Sequence, residues 1–399
     1  MSDLRPLLTV WGTWLVLMAG ANVAAPLYAV YATRYGFSSF VLTAIFTVYA
    51  VVLVPTLLIF GRVSDRYGRR PVMFAGVLAG AAGLIVFAAA RDTAWLFAAR
   101  ALQGLAVGIV SGAATAALVE LDPERDAGRP ALLAGLAQAV GVALGPLVAG
   151  PLAEWAPDPL RLSYLVFLAA TIVAAWLTLR LPEPAATTGR EPWRIQRPRV
   201  PAEIRGDFAR VSLTAATVWA SVALCLSIVP SYAGDLLDTQ NLALLGSIAA
   251  ITLATSGAMQ VAAQRRRPHL RRAQAAGLAV LAAGLVALAS AAALHSLAVL
   301  LAGSIAVGAG HGVAFMTAQD ELNRIAPPEH RGEVTAAFIG CIYPLVGGAV
   351  IGSGLLDERF SIAASVGIVA IGLAATAAAV AAWQVTTRPA RARAHPAST

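Results

Sequence analysis

Residues 61–70 read Gly-Arg-Val-Ser-Asp-Arg-Tyr-Gly-Arg-Arg, four arginines and an aspartate set between long apolar runs. Asp65 is its odd member: a carboxylate at a helix junction accepts hydrogen bonds from arginine and suits a helix N-terminus. Two other ionisable residues interrupt apolar runs, Arg100 in ARALQGLAVG and His311 in GAGHGVAF. Imidazole titrates near neutral pH. A guanidinium in an apolar zone costs about 2.5–3.5 kcal/mol by insertion scales. These residue types hold and exchange charge; they do not make a bond-breaking set. The chain has no lysine, so it has no Gly-x-x-x-x-Gly-Lys-Ser/Thr phosphate loop, and no His-Glu-x-x-His, Cys/His cluster or Gly-x-Ser-x-Gly occurs. The expectation is a protein that is not an enzyme, with no catalytic residue, cofactor or metal.

What must position these residues is set by composition. Of the 399 residues 58% are hydrophobic and 13% charged, with a mean hydropathy of +0.73. Soluble domains carry about 25% charged residues, so the expected solvent is a lipid bilayer. The net charge of +8 does not point to nucleic acid, because the arginines sit between apolar runs instead of interleaving with aromatics on one surface. Cys225 and Cys341 fall in different apolar runs and read as small buried hydrophobes.

A bilayer-crossing helix needs about 20 mostly apolar residues. Twelve stretches qualify, at about 7–31, 39–60, 71–90, 93–117, 131–153, 161–181, 209–232, 241–263, 274–292, 296–318, 332–355 and 361–384. The first is too long for a cleavable signal and contains Asn22 and Pro26. Strand alternation is missing, so a β-barrel is excluded. With the N-terminus inside, 24 of the 29 basic residues fall in inner loops and tails; Arg34, Arg91, Arg161 and Arg359 fall outside, and Arg100 lies within a span. The positive-inside rule then places both termini in the cytoplasm.

The longest polar stretch divides the chain into an N-terminal bundle at 1–181, a cytoplasmic linker at 182–208, a C-terminal bundle at 209–384 and a cytoplasmic tail at 385–399. A shift of 202 residues lays Arg69-Arg70 on Arg271-Arg272, Arg129 on Arg331, Gly145 on Gly347 and Gly150 on Gly352. The fold expected is all-α and integral to the membrane, with twelve helices in two pseudo-symmetric six-helix bundles.

The 61–70 stretch resembles the loop between spans 2 and 3 of the major facilitator superfamily, Gly-x-x-x-Asp-Arg-x-Gly-Arg-Arg, matching at Gly61, Asp65, Arg66, Gly68, Arg69 and Arg70. With twelve spans and a central loop, the resemblance covers essentially the whole chain. It implies two bundles around a central cavity that work by alternating access. It makes Asp65 an inter-bundle latch, with the start of span 11 near Arg331 and Gly332 as its partner. The plainer reading is an anchored tight turn. The second-half copy has Arg267 at the aspartate position, so any latch is one-sided.

Arg100, Gln103 and Gly104 resemble the span-4 motif of proton-coupled members, in which the arginine faces the cavity. Arg100 lies roughly 12 Å from the outer end of its span, and the competing reading is that it snorkels to headgroups. In span 5, Gly141, Gly145, Pro146 and Gly150 resemble the motif of members that exchange substrate for protons. The fit is partial, since Ala149 and Leu132 stand where that motif has glycine. Ordinary small-residue packing explains the same spacing.

No Asp or Glu lies deep in a span. Asp235, Asp238, Asp320 and Glu321 sit at span ends and read as solvated flanks. His311 is then the best intramembrane proton carrier, in competition with a role as a packed helix residue. Asn22, Tyr49, Gln138, Trp219, Gln260, Thr317 and Tyr343 are polar candidates for the cavity wall or for helix–helix contacts. The expected function is proton-coupled export of a small organic compound from the cytoplasm across the plasma membrane by a monomer. Uptake or facilitated passage of a sugar or organic acid is the alternative, followed by a non-transporting receptor on the same scaffold.

Overall fold

The computed structural model describes residues 4–60, 63–122, 129–183, 198–266, 268–327 and 330–386. Among them twelve helices are long and apolar enough to cross a membrane. Spans 1–6 are Arg5–Tyr35, Ser39–Phe60, Arg69–Ala88, Thr93–Glu120, Arg129–Trp155 and Pro159–Leu179. Spans 7–12 are Ala202–Ser227, Leu242–Arg266, Leu270–Ser290, Leu297–Ile325, Gly332–Asp357 and Ile362–Thr386. No strand occurs among the described residues. A helix satisfies its own backbone polar groups, which hydrocarbon cannot do. Local residues set several ends. Asp92 caps span 4 by accepting from the backbone N–H of Ala94 at 2.9 Å, and Gly36, at φ 65°, closes span 1. Pro26 leaves a 3-10 segment, Ala25–Leu27, inside span 1.

Helix pairing repeats between the halves. Spans 3 and 4, 3 and 6, 2 and 4, and 1 and 5 pack together, and so do 9 and 10, 9 and 12, 8 and 10, and 7 and 11. Each pair of the second set is the first advanced by six spans. One apolar core is built from spans 7–12. Two others are built from spans 1–6, and they take in Val222, Leu226, Leu242, Ala249, Ala250 and Leu253 from spans 7 and 8. The halves meet along two seams, span 5 with span 8 and span 2 with span 11.

The face carrying the starts of spans 1, 3 and 5 is here called the arginine-rich face, and the opposite one the far face. At the far face a hydrogen bond crosses each seam. Ser39 Oγ donates to Asp357 across spans 2 and 11. The Leu242 N–H at the start of span 8 donates to Glu154 Oε2 of span 5 at 2.7 Å. At the arginine-rich face, Arg199 N donates to the Glu333 carbonyl at 3.4 Å, fastening the approach to span 7 onto span 11.

Three spans differ instructively from the sequence reading. Span 7 begins at Ala202 instead of 209, and breaks after Ser227 before a separate helix, Val229–Leu237. Span 10 runs on to Ile325. Both extensions draw charged residues into helices. Cys341, expected to be buried, is exposed on span 11, whereas Cys225 is buried as expected. Cys341, Pro344 and Gly348 share an exposed face of span 11.

Candidate functional site

The charged turn is held by its glycine and by an acid that the sequence reading passed over. Gly68 sits at φ +96°, a conformation side-chain-bearing residues avoid. A Cβ there would also lie 2.8 Å from the Glu183 carboxylate. Glu183 accepts from the backbone N–H groups of Arg69 at 2.6 Å and Arg70 at 3.2 Å, which cancels the positive end of span 3. The carboxylate at that helix N-terminus is therefore Glu183 and not Asp65. Asp65 lies in the short helix Val63–Tyr67, accepts from Arg69 and leaves its side chain 51% exposed. Arg69 also donates to Ser64 Oγ at 2.7 Å and to Glu120 at the end of span 4 at 2.8 Å. Arg66 is exposed beside the Tyr67 ring, and Arg70 reaches the Leu181 carbonyl at 3.4 Å. Gly61 and Arg267 lie outside the described residues, as does the side chain of Arg331.

Arg100 does not snorkel. It is 3% exposed, inside the first bundle. Its guanidinium donates to the carbonyl of Ala21 at 2.8 Å, to Gln103 Oε1 at 2.9 Å and to the carbonyl of Phe46 at 3.4 Å. Gln103 in turn donates to the Gly20 carbonyl at 3.0 Å. The rings of Tyr49 and Phe46 flank the cation, 4.7 and 5.0 Å from it. A hydrogen bond to a charged group contributes about 1.5–3 kcal/mol, so three acceptors and two ring faces offset the insertion cost of an arginine. Arg100 Nε has no partner among the described residues. Gly104 brings span 4 against the Tyr49 carbonyl of span 2, where a side chain would collide.

The second bundle carries an imidazole at mid-span and, among the described residues, no cation there. His311 is 1% exposed. Its Nδ1 is 2.7 Å from Ser256 Oγ, and Gln260 Nε2 donates to that same oxygen at 3.3 Å. Trp219 stands edge-on at 4.9 Å and Phe315 stacks at 5.5 Å. Trp219 belongs to the margins of both the first-half and the second-half cores, which places it at the seam.

The span-5 glycines are contact points with two different partners. A Cβ at Gly141 would lie 2.7 Å from the Leu15 carbonyl, and one at Gly145 would lie 2.6 Å from the Ala19 carbonyl, both on span 1. At Gly150 the neighbour is the Leu242 carbonyl of span 8, and the Pro146 carbonyl meets Gly246 of span 8. The remaining candidates separate. Asn22 bonds its own helix at the Met18 carbonyl, 2.9 Å away, against Gly145. Thr317 is buried and bonds the Val313 carbonyl at 2.7 Å. Gln138 is half-buried on span 5, and Tyr343 of span 11 packs against the first-half core that includes Tyr49 at its margin.

One cluster was missed. Glu321, read from sequence as a solvated flank, is buried, and Arg210, read as a loop arginine, is 1% exposed. Arg210 donates to Glu321, to Gln384 and, at 3.1 Å, to Asp207. Arg271 donates to Asp207 at 2.7 Å and to Glu321 at 3.4 Å. Gln274 donates to Glu321 at 2.6 Å, and Gln384 to Gln274 at 2.7 Å. The network ties together spans 7, 9, 10 and 12. The i,i+3 spacing of Asp207 and Arg210 was its available sign. Asp235 is exposed, in keeping with a flank.

The puromycin resistance protein pur8 of Streptomyces alboniger is 34% identical over 112 residues, which make up 28% of this chain and 22% of that protein. The class H tetracycline resistance protein of Pasteurella multocida is 28% identical over 123 residues, 31% of this chain and 29% of that one. The MFS-type transporter ppz2 of Metarhizium majus is 30% identical over 112 residues, 28% and 19% of the two chains. The matches thus span less than a third of these relatives' lengths. The solved structure of a point mutant of the nucleoside transporter NupG superposes with a TM-score of 0.72 over 96% of this chain and 99% of that one, at 13% identity. The Major Facilitator Superfamily model matches residues 10–350. With twelve spans paired in two like halves, and a family match over most of its length, the chain belongs to the Major Facilitator Superfamily.

Proposed function

We propose that this chain is a secondary transporter that exports a small organic compound across the cytoplasmic membrane in exchange for protons, acting as a monomer with its arginine-rich face toward the cytoplasm. The bundles at 1–181 and 209–384 are the moving bodies, and the linker at 182–208 joins them. The observation that carries this reading is the placement of a clamped cation, Arg100, and a buried imidazole, His311, at mid-span in opposite bundles. The seams between those bundles are crossed at the far face by the hydrogen bonds Ser39–Asp357 and Glu154–Leu242. A transporter of this design alternates which end of its seams is closed. Asp65 is the latch for the opposite state, and in the present state it rests on Arg69 of its own bundle.

His311 carries the proton, while Arg100 supplies a fixed positive field. No acid lies at mid-span among the described residues to pair with a permanently cationic cargo. Neutral, amphipathic or weakly anionic compounds fit better. Two relatives carry tetracycline and puromycin in their names, which favours export and supplies first probes. Uptake of tetracycline and of puromycin into everted vesicles is measured with an imposed pH gradient and again after an uncoupler collapses it. Accumulation that vanishes on collapse supports the reading. Accumulation that is indifferent to the gradient, or movement in the opposite sense only, overturns it.

A further inference from the structure

Ser256 Oγ is the only described partner of the His311 ring nitrogens, and it is itself held from a second side. Gln260 Nε2 can only donate, so at 3.3 Å it occupies one lone pair of Ser256 Oγ. The serine hydrogen has no acceptor among the described residues other than His311 Nδ1, 2.7 Å away, so the hydroxyl donates to the ring. The hydrogen-bond network therefore assigns the ring proton to Nε2, which has no partner among the described residues. The far end of the glutamine belongs to the seam. Gln260 is 6% exposed, and its Oε1 lies 2.6 Å from where a Cβ would stand on Gly135 of span 5. A chain of contacts thus runs from the backbone of the first bundle, across the seam, to the imidazole of the second.

Protonation changes what this chain must do. A proton from bulk water bonds to Nδ1, and the ring becomes a donor at both nitrogens. Ser256 Oγ must then accept from His311 and Gln260 together and rotate its own hydrogen to a backbone carbonyl one turn back. Ser221 and Ser247 already adopt that arrangement, bonding the carbonyls four residues earlier at 2.8 and 2.7 Å. While Gln260 is pressed into the gap at Gly135, its N–H favours the arrangement with a neutral ring. When spans 5 and 8 shift, Gln260 leaves the gap and that bias is released.

Among the described residues His311 has no ion pair and no charged hydrogen-bond partner. Span 7 presents Trp219, span 8 presents Ser256 and Met259, and span 9 packs Gly277 and Leu281 against Gly310. The charged side chains nearest in sequence on those spans and its own, Arg210, Arg265, Arg271, Asp320 and Glu321, lie toward the arginine-rich end.

We infer that Gly135, Gln260 and Ser256 form a relay through which the register of the span 5–span 8 seam sets the protonation of His311. Gln260 and Ser256 act as positioning residues. The inference rests on the proposed role of His311 as the proton carrier. By linkage, loading the imidazole must bias the seam as strongly as the seam biases the imidazole.

The test uses the full chain in liposomes and needs no cargo. Trp219 stands 4.9 Å from the imidazole, so a charged ring changes its emission. The Trp219 signal is the difference between wild type and Trp219→Phe, titrated from about pH 4 to pH 9. A transition in wild type that disappears in His311→Gln identifies the imidazole. Ser256→Ala removes both the bond to the neutral ring and the stronger, charge-assisted bond from Nδ1–H of the charged ring, so it moves the midpoint to lower pH by at least ~0.5 unit. Gln260→Ala and Gly135→Ala, which remove or expel the glutamine, move it to higher pH by a similar amount. Opposite shifts are a result that a merely structural role does not give. A wild-type transition that depends on His311 but does not move in Ser256→Ala or Gln260→Ala overturns the relay and leaves His311 as carrier. A wild type with no transition overturns both.

Discussion

The arginine-rich ends of the two bundles reuse one ion pair in different surroundings. Arg69 at the start of span 3 meets Glu120 at the end of span 4, and Arg271 at the start of span 9 meets Glu321 at the end of span 10. In the first bundle the acids reach solvent, with Glu120 27% and Asp65 51% exposed. In the second the corresponding acid, Glu321, is only 9% exposed: Arg210 brings a second cation, Asp207, itself at the rim, a second acid, and Gln274 and Gln384 add hydrogen bonds. A charge near solvent can change partners at small cost, whereas a buried one cannot leave its partner without being stranded. The difference suits the first bundle to gating and the second to remaining one rigid body.

The sharpest break of that comparison is at Glu321. Its removal leaves Arg210 and Arg271 to share Asp207 as their acid and takes away the one beside the buried Arg210, so Glu321→Ala is expected to cost about 3 kcal/mol, seen as lost yield and a lowered melting temperature in detergent. A variant that melts like wild type would show that the network is not an anchor.

Next is Arg100, the cation with no counterpart in the second bundle, where position 302 on the 202-residue shift is alanine. Arg100→Ala is expected to slow proton-driven transport by at least ~10-fold, the equivalent of one lost charged hydrogen bond. Arg100→Lys keeps the charge but not the planar fork, and retains part of the rate. Equal rates in both variants at equal abundance would mean that the charge is only packing.

Asp65→Asn sharpens the gating half of the contrast. It is expected to reduce transport several-fold, on the order of 1 kcal/mol, with abundance and melting unchanged. Normal transport would leave the turn as an anchor only. The smallest effect falls on Glu120. Glu120→Ala is expected to change stability by about 1 kcal/mol or less, several times less than its buried counterpart, and matched melting curves of the two variants measure the ratio.

The twelve spans were legible in the sequence because lipid imposes length and hydropathy on every crossing helix. Arg100 was legible for the same reason: a cation within an apolar run is conspicuous. The network around Glu321 was not. Arg210 and Glu321 sit where hydropathy fades, and fading hydropathy reads as solvent even when a helix continues and neighbouring helices cover it. Glu183 was hidden differently. It caps span 3 from beyond the end of span 6, and its partners are backbone N–H groups that every sequence possesses. The relay at Gly135 depends on a missing side chain and on a glutamine 125 positions later, a pairing only packing reveals. Cys341 misled because an apolar run says a residue is in the membrane, not which way it faces.

Glu183 has one more effect. It pins the exit of the first bundle to Arg69 and Arg70, and Arg199 pins the entry of the second to Glu333. Fifteen residues separate the two fastenings, and at about 3.3 Å per residue their contour reaches roughly 50 Å. Each fastening ties one end of the connection to its own bundle, so neither of them joins the halves, whereas Ser39–Asp357 and Glu154–Leu242 do so along the seams. Halves severed between the two fastenings and co-expressed are expected to find each other and assemble through those seams.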